Sequence, residues 1–417
     1  MNEQYGCLNS VMKLEYHKDR INPLLEGKHY KIEPITVHFS PTLRCNHNCY
    51  FCTYGKIKEN YDNIEMKLED AIMYLRKLHK MGVKGVIFTG GGDPCTHKDL
   101  LPMLQECGSL GLDFSLNTNG LGLSPELSEE VLKLNPAYVR LSINAGNRKT
   151  QKLMTGKDDF ERVLANFEAL VRNKVKLGST SSIAVAYVVG IVNYLDIENL
   201  VERIQQIETN VSQSMGVSPP IDITIRPIYN YEGSKSYDPN TIKDIKSFLH
   251  ERSPQDEEVF EKFMEDGAQT PQRILNKAVE IMENIIVKLK KENSSIKIYY
   301  PLEKFKALGT VDVKPYKRCL GCLYYAFVWP DGTLYPCVEH AGEKNYVIGN
   351  LKLNTAREIF MYRREAVVKW INREAMSKHC APICAYHEVN KYLNDIANKN
   401  VEYKPAAGKP FLNVNFI

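Results

Sequence analysis

The sequence predicts an α/β protein: an open, partial (β/α)6 TIM barrel followed by a smaller cysteine-bearing module. Three observations predict it. Between Ile35 and about Pro227, short apolar runs alternate with amphipathic helical runs over six strand-helix beats. The residues with chemical character gather after the strand runs, and a second group of cysteines begins at Cys319. Alternation with short connections implies a parallel sheet with right-handed crossovers. Six units fall short of the eight that close a complete barrel, so the barrel is expected to be open.

The elements follow in order. "ITVHFSP" from Ile35 is a short apolar strand, and "KLEDAIMYLRKLHKMG" after it is an amphipathic helix ending at Gly82. "VKGVIFTGGGDP" is a strand that runs into a glycine loop, and "HKDLLPMLQECGSLG" is the next helix. "LDFSLNTNG", "AYVRLSINAG", "SSIAVAYVVG" and "IDITIRPIY" continue the strands, with helices from about Pro125, Asp159 and Asp196 between them. From about Asn230 to Asn293 the beat gives way to charged helices, an insertion or bridge. "FVWPDGTLYPC" then reads as a hairpin turning at Pro330-Asp331-Gly332. The implied division is 1–34 as an N-terminal extension, 35–230 as the barrel, 231–300 as the bridge, 301–395 as the cysteine module and 396–417 as a tail.

A net charge of +4 on 417 residues makes no case for nucleic acid or an anionic membrane surface as a partner. No apolar run approaches the roughly 20 residues of a membrane span, and the N-terminus lacks a signal-peptide core. A cytoplasmic protein is expected. Eleven cysteines are many for a reducing compartment, and the odd count argues against a fully paired disulfide framework. Cys7, Cys95 and Cys107 stand apart and read as small hydrophobes. The rest cluster, which points to metal or redox chemistry.

Cys45, Cys49 and Cys52 put three thiols in eight residues. Zinc, with its four tetrahedral ligands, would have to recruit His47 from between the cysteines, a strained arrangement. A 4Fe–4S cluster accepts thiolates at such spacings and, with three, keeps one iron open for a ligand. Spacing alone leaves iron–sulfur, zinc and free thiols as alternatives.

The x3–x2 spacing, the aromatic Phe51 before the last cysteine and the position after the first strand resemble the radical S-adenosylmethionine (SAM) superfamily. The resemblance implies that Cys45, Cys49 and Cys52 hold a 4Fe–4S cluster whose open iron chelates the amino and carboxylate groups of SAM. It also implies reductive cleavage of SAM to a 5′-deoxyadenosyl radical, which takes a hydrogen atom from the substrate. Phe51 then matches the aromatic beside the adenine. "TGGGDP" matches the second family motif, with Gly90, Gly91, Gly92 and Asp93 at the methionyl ammonium, although Asp93 stands where Glu is more usual. Asn117, Asn119, Ser142 and Asn144 match the third and fourth strand ends, which contact the ribose and carboxylate of SAM in relatives. The motifs are expected to converge on one mouth, at the C-terminal strand ends.

Cys319-x2-Cys322-x14-Cys337, then Cys380-x3-Cys384, supplies five more thiols together with His379. The C-x9-G-x4-C run from Cys322 through Gly332 to Cys337 is similar to the opening of the SPASM and Twitch auxiliary-cluster modules. Five cysteines suffice for one 4Fe–4S cluster, so the shorter Twitch form is the better match. The fourth ligand is Cys380 or Cys384, and a zinc ribbon is the alternative. Tyr324, Tyr325, Phe327 and Trp329 read as core packing.

Tyr187, Arg226, Tyr229, Glu339 and His340 are candidate substrate-side groups, and Tyr187, Arg226 and His340 are the candidates for catalysis. Arg226 could hold a carboxylate or phosphate with its fork, and His340 reads as an exposed hairpin histidine able to serve as a base. Only 34 residues precede the first strand, too few for a separate leader-gripping domain. The expected substrate is therefore a small molecule (a sugar, nucleoside or amino-acid derivative), oxidised or rearranged with the auxiliary cluster's help, with a flavodoxin- or ferredoxin-type electron donor. The alternatives are a peptide maturase that crosslinks or epimerises a ribosomal peptide, and a zinc-binding or electron-carrier protein without SAM chemistry.

Overall fold

The computed structural model describes residues 11–55, 64–228, 239–265, 270–307, 314–355, 358–376, 380, 384–407 and 413–417. The six expected strands are β1 (Thr36–Phe39), β2 (Gly85–Phe88), β3 (Asp113–Thr118), β4 (Tyr138–Ser142), β5 (Ser182–Val189) and β6 (Ile221–Pro227). Four further strands follow: β7 (Ile296–Tyr299), β8 (Tyr325–Val328), β9 (Thr333–Tyr335) and β10 (Gly349–Asn350). The fold class is α/β with a predominantly parallel sheet, as predicted. Contacts divide the chain into two compact units that interleave in sequence. The first holds Cys45–Asp62 and Asn117–Asp312; the second holds Tyr5–Arg44, Asn63–Leu116 and Val313–Ile417.

In the first unit β4, β5, β6 and β7 pair in that order, all parallel. Their two faces differ. On β6, Ile221, Ile223 and Ile225 are buried, whereas Asp222 and Thr224 are half-buried and Arg226 is exposed. The buried face packs on helices whose apolar residues recur every three or four positions. Phe160–Leu177 is one, burying Val163, Leu164, Phe167, Leu170 and Val171 before Gly178 ends it in the left-handed region at φ 59°. Each such side chain stabilises the fold by about 1.5–3 kcal/mol when fully buried. The bridge is helical as expected, with Pro239–Arg252, Pro254–Glu265 and Gln272–Lys291. Two elements were not legible. Helix Arg148–Thr155, capped by Asn147 through the Thr150 amide at 2.9 Å, is a short polar run. β7 follows the bridge as a seventh parallel strand.

In the second unit β8 pairs with β1 in parallel, Thr36 opposite Tyr325 and Phe39 opposite Val328, while β1 pairs with β2 and β2 with β3. The strand leading the cysteine module thus extends the sheet edge at β1. β8 and β9 form the predicted hairpin, with Gly332 at φ 84° and its amide donating to the Trp329 carbonyl at 2.9 Å. The residues before β1 are built into this core. Leu14, Ile21, Leu24 and Ile32 are buried in one cluster with Leu320, Leu323, Tyr324, Leu393 and Ile396. The tail is tied in as well, since Lys13 Nζ donates to the Phe416 carbonyl at 2.9 Å and Thr36 Oγ1 to that of Asn415 at 2.8 Å. No helix among the described residues is long and apolar enough to cross a membrane.

Candidate cofactor sites

The Cys45–Cys52 loop is held by the residues between its cysteines. His47 is buried and its Nε2 lies 2.9 Å from Asp159 Oδ2, just before the long helix Phe160–Leu177. Burial opposes ionisation of Asp159, but hydrogen bonds from His47 and Gln151 outweigh it and keep the carboxyl below its usual range. The Asn48 amide donates to the Thr155 carbonyl at 2.8 Å, at the end of the unpredicted helix. Tyr50 is buried edge-on to Phe260 and Phe263, at 5.6 and 6.3 Å. Three anchors therefore secure the loop, while Cys45 is exposed and Cys49 and Cys52 are half-buried. The pairing of His47 Nε2 with Asp159 fixes the ring between the cysteines. Asn119 Nδ2 donates to Asn46 Oδ1 at 2.6 Å and lies 3.7 Å from Cys45 Sγ, a donor suited to a thiolate. Three thiols on a pinned loop, with side chains of the intervening residues drawn away, fit a three-thiolate 4Fe–4S cluster. Phe51 stands edge-on to Tyr50 at 5.4 Å and is half-buried.

The glycine turn after β2 is a close approach. The Gly91 amide donates to Ser40 Oγ at 3.2 Å, the Gly92 amide to the Thr42 carbonyl at 3.1 Å and the Asp93 amide to that of Arg44 at 2.8 Å. A Cβ on Gly92 would meet the Arg44 carbonyl and stand 2.6 Å from both the Leu43 carbonyl carbon and the Thr42 oxygen. These are backbone atoms of the segment leading directly into Cys45, so they cannot rotate away. Gly92→Ala is expected to destabilise the chain by about 1–3 kcal/mol and to weaken SAM binding at least tenfold. Thermal unfolding and equilibrium dialysis against SAM check this; unchanged values for both would show the turn to be an ordinary connection. Asp93 is buried and its Oδ1 accepts from the Cys95 amide at 2.9 Å.

The strand-end residues separate into two kinds. Ser142 is exposed at the end of β4. Asn117 Oδ1 accepts from Arg140 Nε at 3.1 Å. Asn119 Oδ1 accepts from the Leu121 amide at 3.0 Å. Asn144, by contrast, is buried with Oδ1 accepting from the Val188 amide at 2.8 Å, which ties β4 to β5. Tyr187, a catalytic candidate from the sequence, is fully buried on β5 and its hydroxyl donates to the Asn193 carbonyl at 2.7 Å. Burial holds that phenol far above its ordinary range. His340 also differs from expectation. It is buried, stacked on Tyr346 at 4.1 Å, and its Nδ1 lies 2.7 Å from Glu343 Oε1. Tyr229 and His379 lie outside the described residues.

The distal cysteines gather in the second unit. The Cys319 amide donates to Asn372 Oδ1 and the Gly321 amide to Asn390 Oδ1, both at 2.7 Å. Asn390 Nδ2 lies 3.6 Å from Cys319 Sγ, so one side chain of helix His387–Ala397 fixes both the loop and a thiol. Cys322 Sγ donates to the Cys319 carbonyl at 3.0 Å. Hydrogen bonding within this pair lowers the Cys319 thiol pKa and raises that of Cys322. Burial raises Cys337 well above its usual value and pushes Cys380 up to about 12. Arg364 is fully buried, donating to the carbonyls of Leu323 (3.1 Å) and Ile32; burial pulls it down to about 10, while the Cys322 sulfur favours its charge. A buried cation beside a thiol suits a site that becomes anionic when loaded. Tyr324, Tyr325, Phe327 and Trp329 are all buried, as predicted. The sequence missed Arg364 and Asn390, which carry no motif, and Arg140, whose strand reads simply as apolar.

Comparison with known proteins supplies the context. The family model for the Radical SAM superfamily matches residues 39–204, and an iron–sulfur cluster-binding domain matches residues 319–385. The probable GTP 3′,8-cyclase of Saccharolobus solfataricus is 30% identical over 131 residues, 31% of this chain and 41% of that protein. An uncharacterised Methanocaldococcus jannaschii protein is 32% identical over 146 residues, 34% of this chain and 46% of its own. The matches thus span less than half the length of these relatives. Among solved structures, Streptococcus suis SuiB bound to precursor peptide SuiA has a TM-score of 0.55 at 14% identity, covering 86% of this chain and 73% of its own. Native anSMEcpe with bound AdoMet has a TM-score of 0.55 at 14% identity, covering 88% and 98%.

Proposed function

We propose that this chain, which the Radical SAM superfamily model matches over residues 39–204 and an iron–sulfur cluster-binding domain model over residues 319–385, cleaves SAM reductively and removes a hydrogen atom from a small-molecule substrate. The anchored loop of Cys45, Cys49 and Cys52 is the observation that carries this reading. These three thiols would hold the cluster, and that group would supply the single electron needed for reductive cleavage of SAM to methionine and the 5′-deoxyadenosyl radical. Phe51 flanks the adenine. Gly90, Gly91, Gly92 and Asp93 offer backbone and carboxylate groups to the methionyl ammonium. Asn117, Asn119 and Ser142 serve the ribose and carboxylate. Asn144 acts indirectly, holding the ends of β4 and β5 together.

Cys319, Cys322 and Cys337 hold a second 4Fe–4S cluster. We assign its fourth position to Cys384, which is buried in the same apolar cluster against which Cys337 packs. Held there, the cluster would supply an acceptor for the electron that a substrate radical gives up when its oxidation is completed. A sugar, nucleoside or amino-acid derivative is the proposed substrate class, and the likeness to proteins named as GTP cyclases supports the nucleoside end of that range. A flavodoxin- or ferredoxin-type protein is the proposed electron donor.

Anaerobic purification with iron and sulfide analysis tests the reading. About eight irons per chain are expected for two 4Fe–4S clusters, with 5′-deoxyadenosine formed from SAM after dithionite reduction. Stoichiometric zinc without iron would replace it with a structural or interaction role.

A further inference from the structure

The open face of the first unit's sheet carries two cations, Arg140 and Arg226; its one carboxylate on β6, Asp222, stands across Ala184 from Arg140 and faces the charges of Lys297 and Lys174. Arg140 on β4 and Arg226 on β6 both sit on the face opposite the helices, because Val139 and Leu141 on β4 and Ile223, Ile225 and Pro227 on β6 are the residues buried against them. The pairing places Arg140 beside Ala184 and Ser142 beside Ala186 on β5, then Ala186 beside Thr224 and Val188 beside Arg226 on β6. Two alanines between the arginine-bearing strands leave a trough with guanidinium groups on either side and the Ser142 and Thr224 hydroxyls along it.

Arg140 is tethered in a particular way. Its Nε donates to Asn117 Oδ1 at 3.1 Å, a neutral acceptor, and no ion pair involves it among the described residues. Arg226 likewise has no ion-pair partner among the described residues. Desolvation lowers the pKa of the Arg140 guanidinium, Tyr138, whose ring lies 5.7 Å beneath it, opposes that, and the charge of Arg226 lowers it further. Two like charges brought together in a half-buried trough cost free energy unless an anion joins them. Tethering through Nε also leaves the Nη groups of Arg140 to present a planar fork, the geometry that meets carboxylate or phosphate.

We propose that Arg140 and Arg226 form a subsite for an anionic group of the substrate, a carboxylate or phosphate, on the open face of β4–β6. This rests on the reading above that a substrate meets the SAM-derived radical. Ser142 lies on the same face, so the carboxylate of SAM is the rival occupant. The subsite makes the substrate an acid or a phosphate ester and excludes a neutral sugar.

The test uses the full chain, reconstituted anaerobically with both clusters and saturated with SAM, titrated with inorganic phosphate by calorimetry. Phosphate is expected to bind in a salt-sensitive manner, and Arg140→Gln and Arg226→Gln each to weaken it at least tenfold. Arg226→Lys should weaken it less, and SAM affinity should stay within threefold in both Arg226 variants. Unchanged phosphate binding in both glutamine variants would overturn the proposal. So would a tenfold loss of SAM affinity in Arg140→Gln with phosphate binding intact, which would give that arginine to SAM's carboxylate. Arg226 is exposed, so its variant keeps the test decisive if Arg140→Gln fails to fold. Failure of the wild-type chain to bind or cleave SAM would instead refute the radical SAM activity, and phosphate binding measured without SAM would still report on the arginines.

Discussion

Replacing any one of Cys45, Cys49 or Cys52 with alanine is expected to reduce 5′-deoxyadenosine formation to background. The three thiols are the loop's sulfur ligands, while His47 is paired with Asp159 and Asn46 is bonded to Asn119. With two thiolates left, the cluster lacks half of its ligand shell. Iron should fall from about eight to about four atoms per chain, with the remaining four at the distal cysteines. The fold itself should persist, since the anchors are His47, Asn48 and Tyr50 rather than the thiols. Tyr187→Phe is the informative contrast. It removes one buried hydrogen bond, costing about 1 kcal/mol, and should keep SAM cleavage within threefold. Iron quantification, circular dichroism and chromatographic assay of 5′-deoxyadenosine on the same samples read all three quantities. An alanine variant that retains full iron and cleaves SAM would place the catalytic cluster elsewhere.

What could be read from the sequence was whatever is encoded locally. Strand-helix alternation fixes the first six strands, and a Pro-Asp-Gly turn between aromatic runs fixes the β8–β9 hairpin, because each signal lies within about a dozen residues. The cysteine spacings were legible for the same reason. What stayed hidden was set by contacts between distant segments. Nothing in "VMKLEYHKDRINPLL" shows that Leu14 and Ile21 will be buried with Leu323 and Leu393, some 300 positions later. β8 gave its hairpin away but not its partner, since parallel pairing with β1 depends on the tertiary fold. Burial of Tyr187 was not legible because alternation says only that a strand has two faces. His340 misled because proximity to Cys337 in sequence says nothing of the Tyr346 ring stacked on it. Arg140 was passed over as a polar interruption in an apolar run, yet its position opposite Ala184 is what makes it a candidate ligand group.

Cys337→Ala and Cys384→Ala are expected to separate SAM cleavage from productive turnover. Both thiols belong to the second unit, whereas the Cys45–Cys52 loop belongs to the first. Loss of either should therefore lower iron from about eight to about four atoms while 5′-deoxyadenosine formation stays within a few-fold. The electron that the substrate radical must surrender then has no acceptor, so oxidised product should fall at least a hundredfold, and SAM cleavage becomes uncoupled. Cys380→Ser sharpens the assignment. Cys380 is held through its carbonyl by Lys314 Nζ at 3.3 Å and is not part of the apolar cluster that buries Cys384 and packs against Cys337. If Cys384 is the fourth ligand, the serine variant keeps about eight irons and its electron paramagnetic resonance signals. Loss of the second cluster in Cys380→Ser with retention in Cys384→Ala would exchange the two roles. Equal retention in both would mean a cluster carried on Cys319, Cys322 and Cys337 alone, with an iron open to the substrate itself, and the domain would then bind as well as conduct.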